Sequence, residues 1–444
     1  MGAAAFVLAC FWTAWAAARQ DTPPQTPPQQ PGVPTIEILT GAAQRFAVPD
    51  CVPRRGDEAS REACRTLTQV VRRDLAFEGL FRFVPENLMA AVPSLNPDAP
   101  SFTDWQGIGA NVLVVTRAQV TAGELAVEAA VYVVDSGKAI LSKRYSGRAD
   151  NPRIFAHQIS DEIVALAQQR GVARTKIAFV SDRDAALPRR TKELYIVDYD
   201  GYNPRRVTVN RSINILPAWS PDGRSLAYVS YRQGQPDIFV AAIYEGRSTR
   251  LTSGQGQAFA PSYSPDGRRI AYASNRAGNL DIWVANADGS GARKLTTTAA
   301  ADTAPCWSPT GQEIAFTSDR SGAPQIYVMD SEGLNVRRLT TVGGYNDAPA
   351  WNPSKQWSEI AYTSRLESGG FDIAVVDLAT RQVRQLTMGR GSCEYPSWAP
   401  SGRHLVFSCK RAGTWQITVS DRLGQNMQTL PAGGGNNTYP DWGP

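Results

Sequence analysis

The sequence predicts an all-β six-bladed β-propeller preceded by a small α/β N-terminal domain of mixed sheet plus helices. Three observations predict it. A Pro-x-aromatic-x-Pro anchor begins at Pro217, Pro261, Pro305, Pro349, Pro396 and Pro440, at spacings of 44, 44, 44, 47 and 44. Three further strand signals recur with the same period. The two ends of the array are complementary fragments of one repeat.

The repeat reads as a four-stranded antiparallel sheet. Each full anchor precedes a second strand, at Leu226-Ala227-Tyr228, Ile270-Ala271-Tyr272, Ile314-Ala315-Phe316, Ile360-Ala361-Tyr362 and Leu405-Val406-Phe407; an earlier copy, Ile177-Ala178-Phe179, has no anchor before it. A third strand starts near Leu194, Ile238, Ile282, Ile326, Ile373 and Ile417, and a fourth contains Val207, Leu251, Leu295, Leu339, Leu386 and Leu430. Pro-Asp-Gly at 221–223 and 265–267 supplies the turn after the anchor, with Gly at the position that needs positive φ. One such sheet is apolar on both faces, so copies must pack face to face, as propeller blades of this length do. The terminal anchor, Pro440 to Pro444, has nothing after it and fits as the missing strand of the first blade. That closure removes an open sheet edge. The propeller then covers 173–444, and the anchor Trp and Tyr residues pack between blades.

Ahead of it, residues 1–18 read as a secretory signal peptide. Ala3 to Ala18 is apolar, too short for a span of ~20 residues, and ends in small-x-small cleavage sites. No Lys or Arg precedes it, which leaves an uncleaved anchor as the alternative. Residues 19–35 form a Pro-rich linker, semi-rigid and solvated. Residues 36–172 form the α/β domain. A helix is expected over 57–78, where Cys64, Leu67, Val71 and Leu75 recur at three and four and Gly79 stops it. Strands are expected at Leu80–Val84, Val112–Val115 and Leu125–Val133, and a helical turn at Asp104–Ile108. A second helix is expected over 152–170, with Asn151 as cap, Gly171 as stop, and Phe155, Ile159, Ile163 and Leu166 as its apolar stripe. His157 lies off that stripe and reads as a surface residue.

Composition narrows the chemistry. There are 46 Lys and Arg against 41 Asp and Glu, a net +5, with no dense basic run, so a nucleic-acid footprint is excluded. Two histidines, His157 and His404, limit His-based catalysis or metal binding. No G-x-S-x-G elbow, P-loop, dinucleotide fingerprint or calcium loop occurs, so no catalytic, cofactor or metal residues are assigned and the chain is not expected to be an enzyme. Beyond Cys10, five cysteines remain. Export permits disulfides. Cys393 and Cys409 can face each other across a turn near Ser401, Cys51 and Cys64 are thirteen apart, and Cys306 reads as a buried thiol.

The blade wording Pro-x-Trp-Ser-Pro-Asp-Gly and Ile-Ala-Tyr-x-Ser, with Phe102-Thr103-Asp104-Trp105 and Ala156-His157-Gln158-Ile159-Ser160-Asp161 in the front domain and Thr175-Lys176-Ile177-Ala178-Phe179 at the junction, resembles the TolB family of the Tol–Pal system over about 36–444. The resemblance implies a monomeric, non-catalytic periplasmic scaffold with no cofactor and no small-molecule substrate. It would link a Pal-like peptidoglycan-associated lipoprotein of the outer membrane to TolA-like inner-membrane proteins, for outer-membrane integrity and constriction during division. It also implies that the Pal-like partner docks at one mouth of the propeller, on loops just before the anchor strands. Those positions are Gln257, Phe259, Thr303, Asn346, Asp347, Glu394 and Asn437, with Phe259 as the buried anchor. Two features depart from the family: the Pro-rich extension before Ile36, and the degraded anchor Asn352-Pro353-Ser354-Lys355 with the 47-residue spacing after it. The alternative reading is an accessory, substrate-gating propeller of a periplasmic peptidase or hydrolase complex.

Overall fold

The computed structural model describes residues 44–444, apart from 94, 186–190, 255 and 366–368. The expected signal peptide and Pro-rich linker lie outside the described residues.

The front domain is a mixed sheet of six strands: β1 (Arg45–Ala47), β2 (Val52–Pro53), β3 (Arg82–Phe83), β4 (Val112–Thr121), β5 (Glu124–Val133) and β6 (Lys138–Arg148). The order is β3-β1-β4-β5-β6, with β2 also on β4. Helix α1 (Glu58–Glu78) begins where the Asp57 side chain accepts from the Ser60 N–H, 2.8 Å. It ends where Gly79 turns left-handed at φ 67°. Short helices α2 (Glu86–Ala90) and α3 (Phe102–Gly107) follow, then α4 (Arg153–Leu166). The stripe of Cys64, Leu67, Val71 and Leu75 on α1 and that of Phe155, Ile159 and Ile163 on α4 bury one sheet face, against Val112, Val114, Leu125, Val127 and Val131. Leu125–Val133 alternates buried and half-buried, as its sequence does.

Three differences from the sequence reading have physical causes. Helix α4 stops at Leu166 because Gln168 adopts a left-handed φ of 55° and the chain leaves for the propeller. There the Asp161 carboxylate takes the Ala173 N–H at 2.9 Å and Glu78 takes that of Val172 at 2.8 Å. Strand β6 had no apolar alternation to reveal it: it is an edge strand, largely exposed along its length. His157 is buried, not on the surface, at 5% exposure, because the propeller covers the side of α4 that carries it.

The propeller is six four-stranded antiparallel sheets. Asn437–Trp442 is the inner strand of blade 1, paired with Lys176–Ser181 in the register Asn437↔Ser181 and Trp442↔Ile177. The apolar clusters lie between blades rather than within them. Ala178 and Val180 of blade 1 pack with Trp219, Tyr228 and Phe239 of blade 2, and Val406 and Ile417 of blade 6 with Phe179, Tyr195 and Trp442 of blade 1. Each fully buried side chain of this size contributes about 1.5–3 kcal/mol, and none of it is available to a lone blade.

A polar frame repeats beside these clusters. In blade 5, Thr387 Oγ1 donates to Asp372 at 2.9 Å and accepts from the Ile373 N–H at 2.9 Å, while Ser364 Oγ donates to Asn346 Oδ1 at 2.6 Å. Blade 4 repeats the first half with Thr340 and Gln325, and blade 2 the second with Ser230 and Asn214 at 2.7 Å. The inner-to-second-strand pair is Asn214↔Ser230, Asp302↔Ser318, Asn346↔Ser364 and Asn437↔Ser181 in four blades. In blade 6 the same register position holds Cys393↔Cys409, and the two form a disulfide. The residue after Leu430 is Pro431, where the other blades have Thr. Blade 6 therefore replaces a hydrogen-bonded frame with a covalent bond. A second disulfide joins Cys51 to Cys64 of α1.

Replacing Cys393 and Cys409 together by Ala is expected to cost about 2–4 kcal/mol of unfolding free energy, read by denaturant titration. Replacing them by Asn and Ser, with Gln416→Asp and Pro431→Thr added, is expected to recover a measurable part and to make stability insensitive to reductant at this site.

Candidate functional site

The inner strands of the six blades form the channel wall, and each carries the same kink. One residue before the anchor proline has positive φ in every blade: Leu216 (53°), Ala260 (48°), Ala304 (48°), Ala348 (52°), Tyr395 (57°) and Tyr439 (51°). None is Gly, and a residue before proline is normally held extended. The pairing of each inner strand shifts register across this point, a bulge. The kink sets the next two residues of the anchor. In three blades the residue after the anchor proline then caps a neighbouring blade. Asp441 Oδ2 accepts the Trp219 N–H at 2.8 Å, Ser397 Oγ accepts that of Trp442 at 3.1 Å, and Cys306 Sγ that of Trp351 at 3.3 Å.

Past the kinks the channel opens into a cavity of about 450 Å³, walled by the anchor prolines and aromatics and touched by Arg170. Before the kinks lies a second cavity of about 430 Å³, at the seam of blades 6 and 1. Tyr395 and Tyr439 line both, their ring centroids 4.4 Å apart. Four blades place Leu or Ala at this kink and two adjacent blades place Tyr, so the tyrosines stand between the two ends of the channel. Burial pushes the Tyr395 hydroxyl far above its ordinary range.

The seven residues assigned from the resemblance gather at the mouth where the inner strands begin. Only Gln257 precedes its strand; its N–H donates to Asn275 Oδ1 at 2.7 Å. The other six lie on the strands themselves. Phe259 is half-buried against the cluster between blades 3 and 4. Thr303 is half-buried on the inner strand of blade 4. Asp347 accepts from Thr317 Oγ1 at 2.9 Å and from the Tyr345 hydroxyl at 3.1 Å. Burial, then the nearby Asp347 charge, pushes the Glu394 carboxyl up. Asn346 and Asn437 are fully enclosed. Asn346 is held by Gln325 (2.8 Å) and Ser364, and Asn437 donates to the Gly433 carbonyl at 3.0 Å. Both belong to the polar frame of their blades and offer nothing to a partner. Sequence reasoning missed Tyr395 and Tyr439. Their signal is the change from Leu or Ala to Tyr just before two anchors.

The front domain docks on the opposite side, astride the closing seam. Arg403 of blade 6 pairs with Glu78 of α1, and His404 Nε2 donates to the Phe77 carbonyl at 2.7 Å while its ring stacks on Phe77. Burial holds His404 down at about 4, so it stays neutral. On blade 1, the Tyr199 hydroxyl donates to Asp74 at 2.6 Å, and Arg73 and Arg153 both pair with Asp200. His157 Nδ1 donates to Asp74 at 2.8 Å, with Nε2 3.9 Å from Asp200. The donor atoms of Asp74, His157 and Asp200 lie within 4.8 Å of one another, a spacing that could hold a cation. Two guanidiniums and a phenol already occupy those carboxylates, so the cluster is an interdomain ion-pair network.

These features define a closed six-bladed propeller whose closing seam carries a docked α/β domain. Known proteins narrow it. A family model described as the TolB beta propeller domain matches residues 164–444, and one described as the TolB amino-terminal domain matches residues 34–140. The chain belongs to the TolB family. Among curated relatives named Tol-Pal system protein TolB, that of Geobacter metallireducens is 36% identical over 192 residues, covering 43% of this chain and 44% of its own. That of Methylobacillus flagellatus is 36% identical over 234 residues, 51% of each chain. The matched stretch spans about half the length of these relatives or less. A crystal structure of TolB from Acinetobacter baumannii superposes with a TM-score of 0.76 at 27% identity, covering 91% of this chain and 97% of that one. Among the described residues, no helix is long and apolar enough to cross a membrane.

Burial raises the Asp441 carboxyl to about 6. A raised carboxyl favours the fold below its unfolded value near 4 and loses that contribution as pH rises through 6. Asp441→Asn should therefore gain on the order of 2 kcal/mol over wild type at pH 7.5 and little or none at pH 4.5, by denaturant unfolding at both. Asp200→Ala leaves the mostly buried Arg153 without its carboxylate, while Arg73 is exposed enough to be solvated, and should cost about 1–3 kcal/mol. Calorimetry is expected to show the front domain melting apart from the propeller, where wild type melts with it.

Proposed function

We propose that the chain is a non-catalytic periplasmic scaffold of the Tol–Pal system. It binds a Pal-like lipoprotein at the mouth where the inner strands begin and engages TolA-like inner-membrane machinery, coupling the two membranes during division. The observation that carries the reading is the pairing of two family matches on one chain, front domain and propeller. A peptidase-associated propeller would share only the second. The geometry supports the site: the front domain stands on blades 6 and 1 at the far side of the disc, which leaves this mouth clear of it. Phe259, Asp347, Glu394, Gln257 and Thr303 give it a half-buried aromatic within a polar rim, the composition of a protein interface.

A pull-down of residues 19–444 against the Pal-like lipoprotein of the same cell tests this. Capture that weakens about tenfold or more with Phe259→Ala and Asp347→Ala is the expected result. Capture unaffected by either substitution would keep the function and move the site. A folded chain that captures nothing would overturn the function.

A further inference from the structure

The cavity at the seam of blades 6 and 1 is unlike the corresponding place in other blades. The residue after the second strand is an Asx cap in three blades. Asp182 accepts the Asn436 N–H at 2.7 Å, Asn275 that of Gln257 at 2.7 Å, and Asp319 that of Ala301 at 2.8 Å. Blade 6 puts Lys410 there. The interval that is an open loop in blades 2 to 4 is a closed hairpin in blade 6, with Lys410↔Trp415 and Arg411↔Thr414 paired around Ala412 (φ 47°) and Gly413 (φ 83°). This holds the Lys410 and Trp415 side chains together on the wall of the 430 Å³ cavity, with Tyr395, Tyr439 and Thr438 lining it too. Lys192, at the start of the third strand of blade 1, lines the other side, its ammonium 5.9 Å from the Tyr439 ring centroid.

The charges are unequally engaged. Asp182 is taken up by the backbone and side chain of Asn436, 2.7 and 2.9 Å. Glu394 accepts from Ser392 at 3.2 Å; burial pushes its carboxyl up, while that hydrogen bond and the charge of Lys410 pull it down. Neither Lys192 nor Lys410 has an ion-pair partner among the described residues. Lys410 faces Glu394 at longer range and Lys192 faces the Tyr439 ring, so among the described residues both ammoniums keep room for a closer anionic partner beside an aromatic wall at the mouth.

We propose that this seam groove is the charged anchor of the partner-binding mouth: it takes an acidic side chain of the docked protein between Lys192 and Lys410, with the adjoining apolar residue of that protein against Trp415. This rests on the proposed docking at the mouth and adds to it the chemistry of the partner. The acidic group gains two cations in a half-enclosed site, where a charge pair is screened less than on open surface.

The test is titration of the full mature chain with the Pal-like lipoprotein from the same cell, at 50 and 300 mM salt, for wild type, Lys410→Glu, Lys192→Glu and Trp415→Ala. Lys355→Glu, an exposed lysine on the anchor-side turn of blade 5, changes net charge equally and serves as the control. The expected result is tenfold or greater weakening for each groove variant, a shallower salt dependence for the two lysine variants, and no change for the control. Wild-type binding that all groove variants retain, with the same salt dependence, overturns the groove and leaves the docking reading standing. Equal weakening by Lys355→Glu assigns the effect to net charge and also overturns it. Absence of binding by folded wild type overturns the docking reading and the groove with it.

Discussion

The ring exists because one strand from the end of the chain completes a sheet begun 260 residues earlier. Asn437–Trp442 pairs with Lys176–Ser181, and without it blade 1 would lack its inner strand and the ring its seal. Every inter-blade core needs two blades to bury its aromatics, so opening one seam exposes the apolar faces on both sides of it. The cost of failing to close is then shared by the whole array, which is the physical reason a non-covalent seam suffices.

Other features of the molecule concentrate on this seam. The front domain does not sit on one blade: it holds blade 6 through Arg403 and His404 and blade 1 through Asp200 and Tyr199. The Trp442 indole donates to Thr175 Oγ1 at 2.8 Å, tying the closing strand to the interdomain connector. Blade 6 alone exchanges the Asn–Ser pair for a disulfide. The two kink tyrosines, Lys192 and Lys410 lie at the same junction. The mouth proposed for the partner and the docked front domain thus lie at opposite ends of the same two blades, with the same closing strand running between them.

Particular residues show what could be read in advance. The blade count, the strand positions and the closing strand were legible because propeller blades repeat, and repetition turns a weak local signal into a strong one. The cap at Asp57 and stop at Gly79 framed α1 for local reasons that sequence carries well. His157 was misread because helix periodicity describes one face, and the second face was buried by a domain attached only through tertiary contact. Strand β6 gave no alternation because an edge strand has no obligation to bury either face. Asn346 and Asn437 looked like rim residues from their place before the anchors. Their enclosure depends on pairing with a serine eighteen residues ahead in one case and more than 250 residues earlier in the other.

Local propensity and period carried the number of blades, the positions of their strands and the two ends of α1 in the sequence alone. Which polar residues are framework and which face the channel was fixed by tertiary packing. It alone placed Tyr395 and Tyr439 between two cavities, sandwiched His157 between Asp74 and Asp200, and set Lys192 and Lys410 on the wall of one cavity with no ion pair among the described residues. Whether a polar side chain is spent or free depends on what lies across the seam from it, and residues hundreds of positions apart meet there only after the ring has closed.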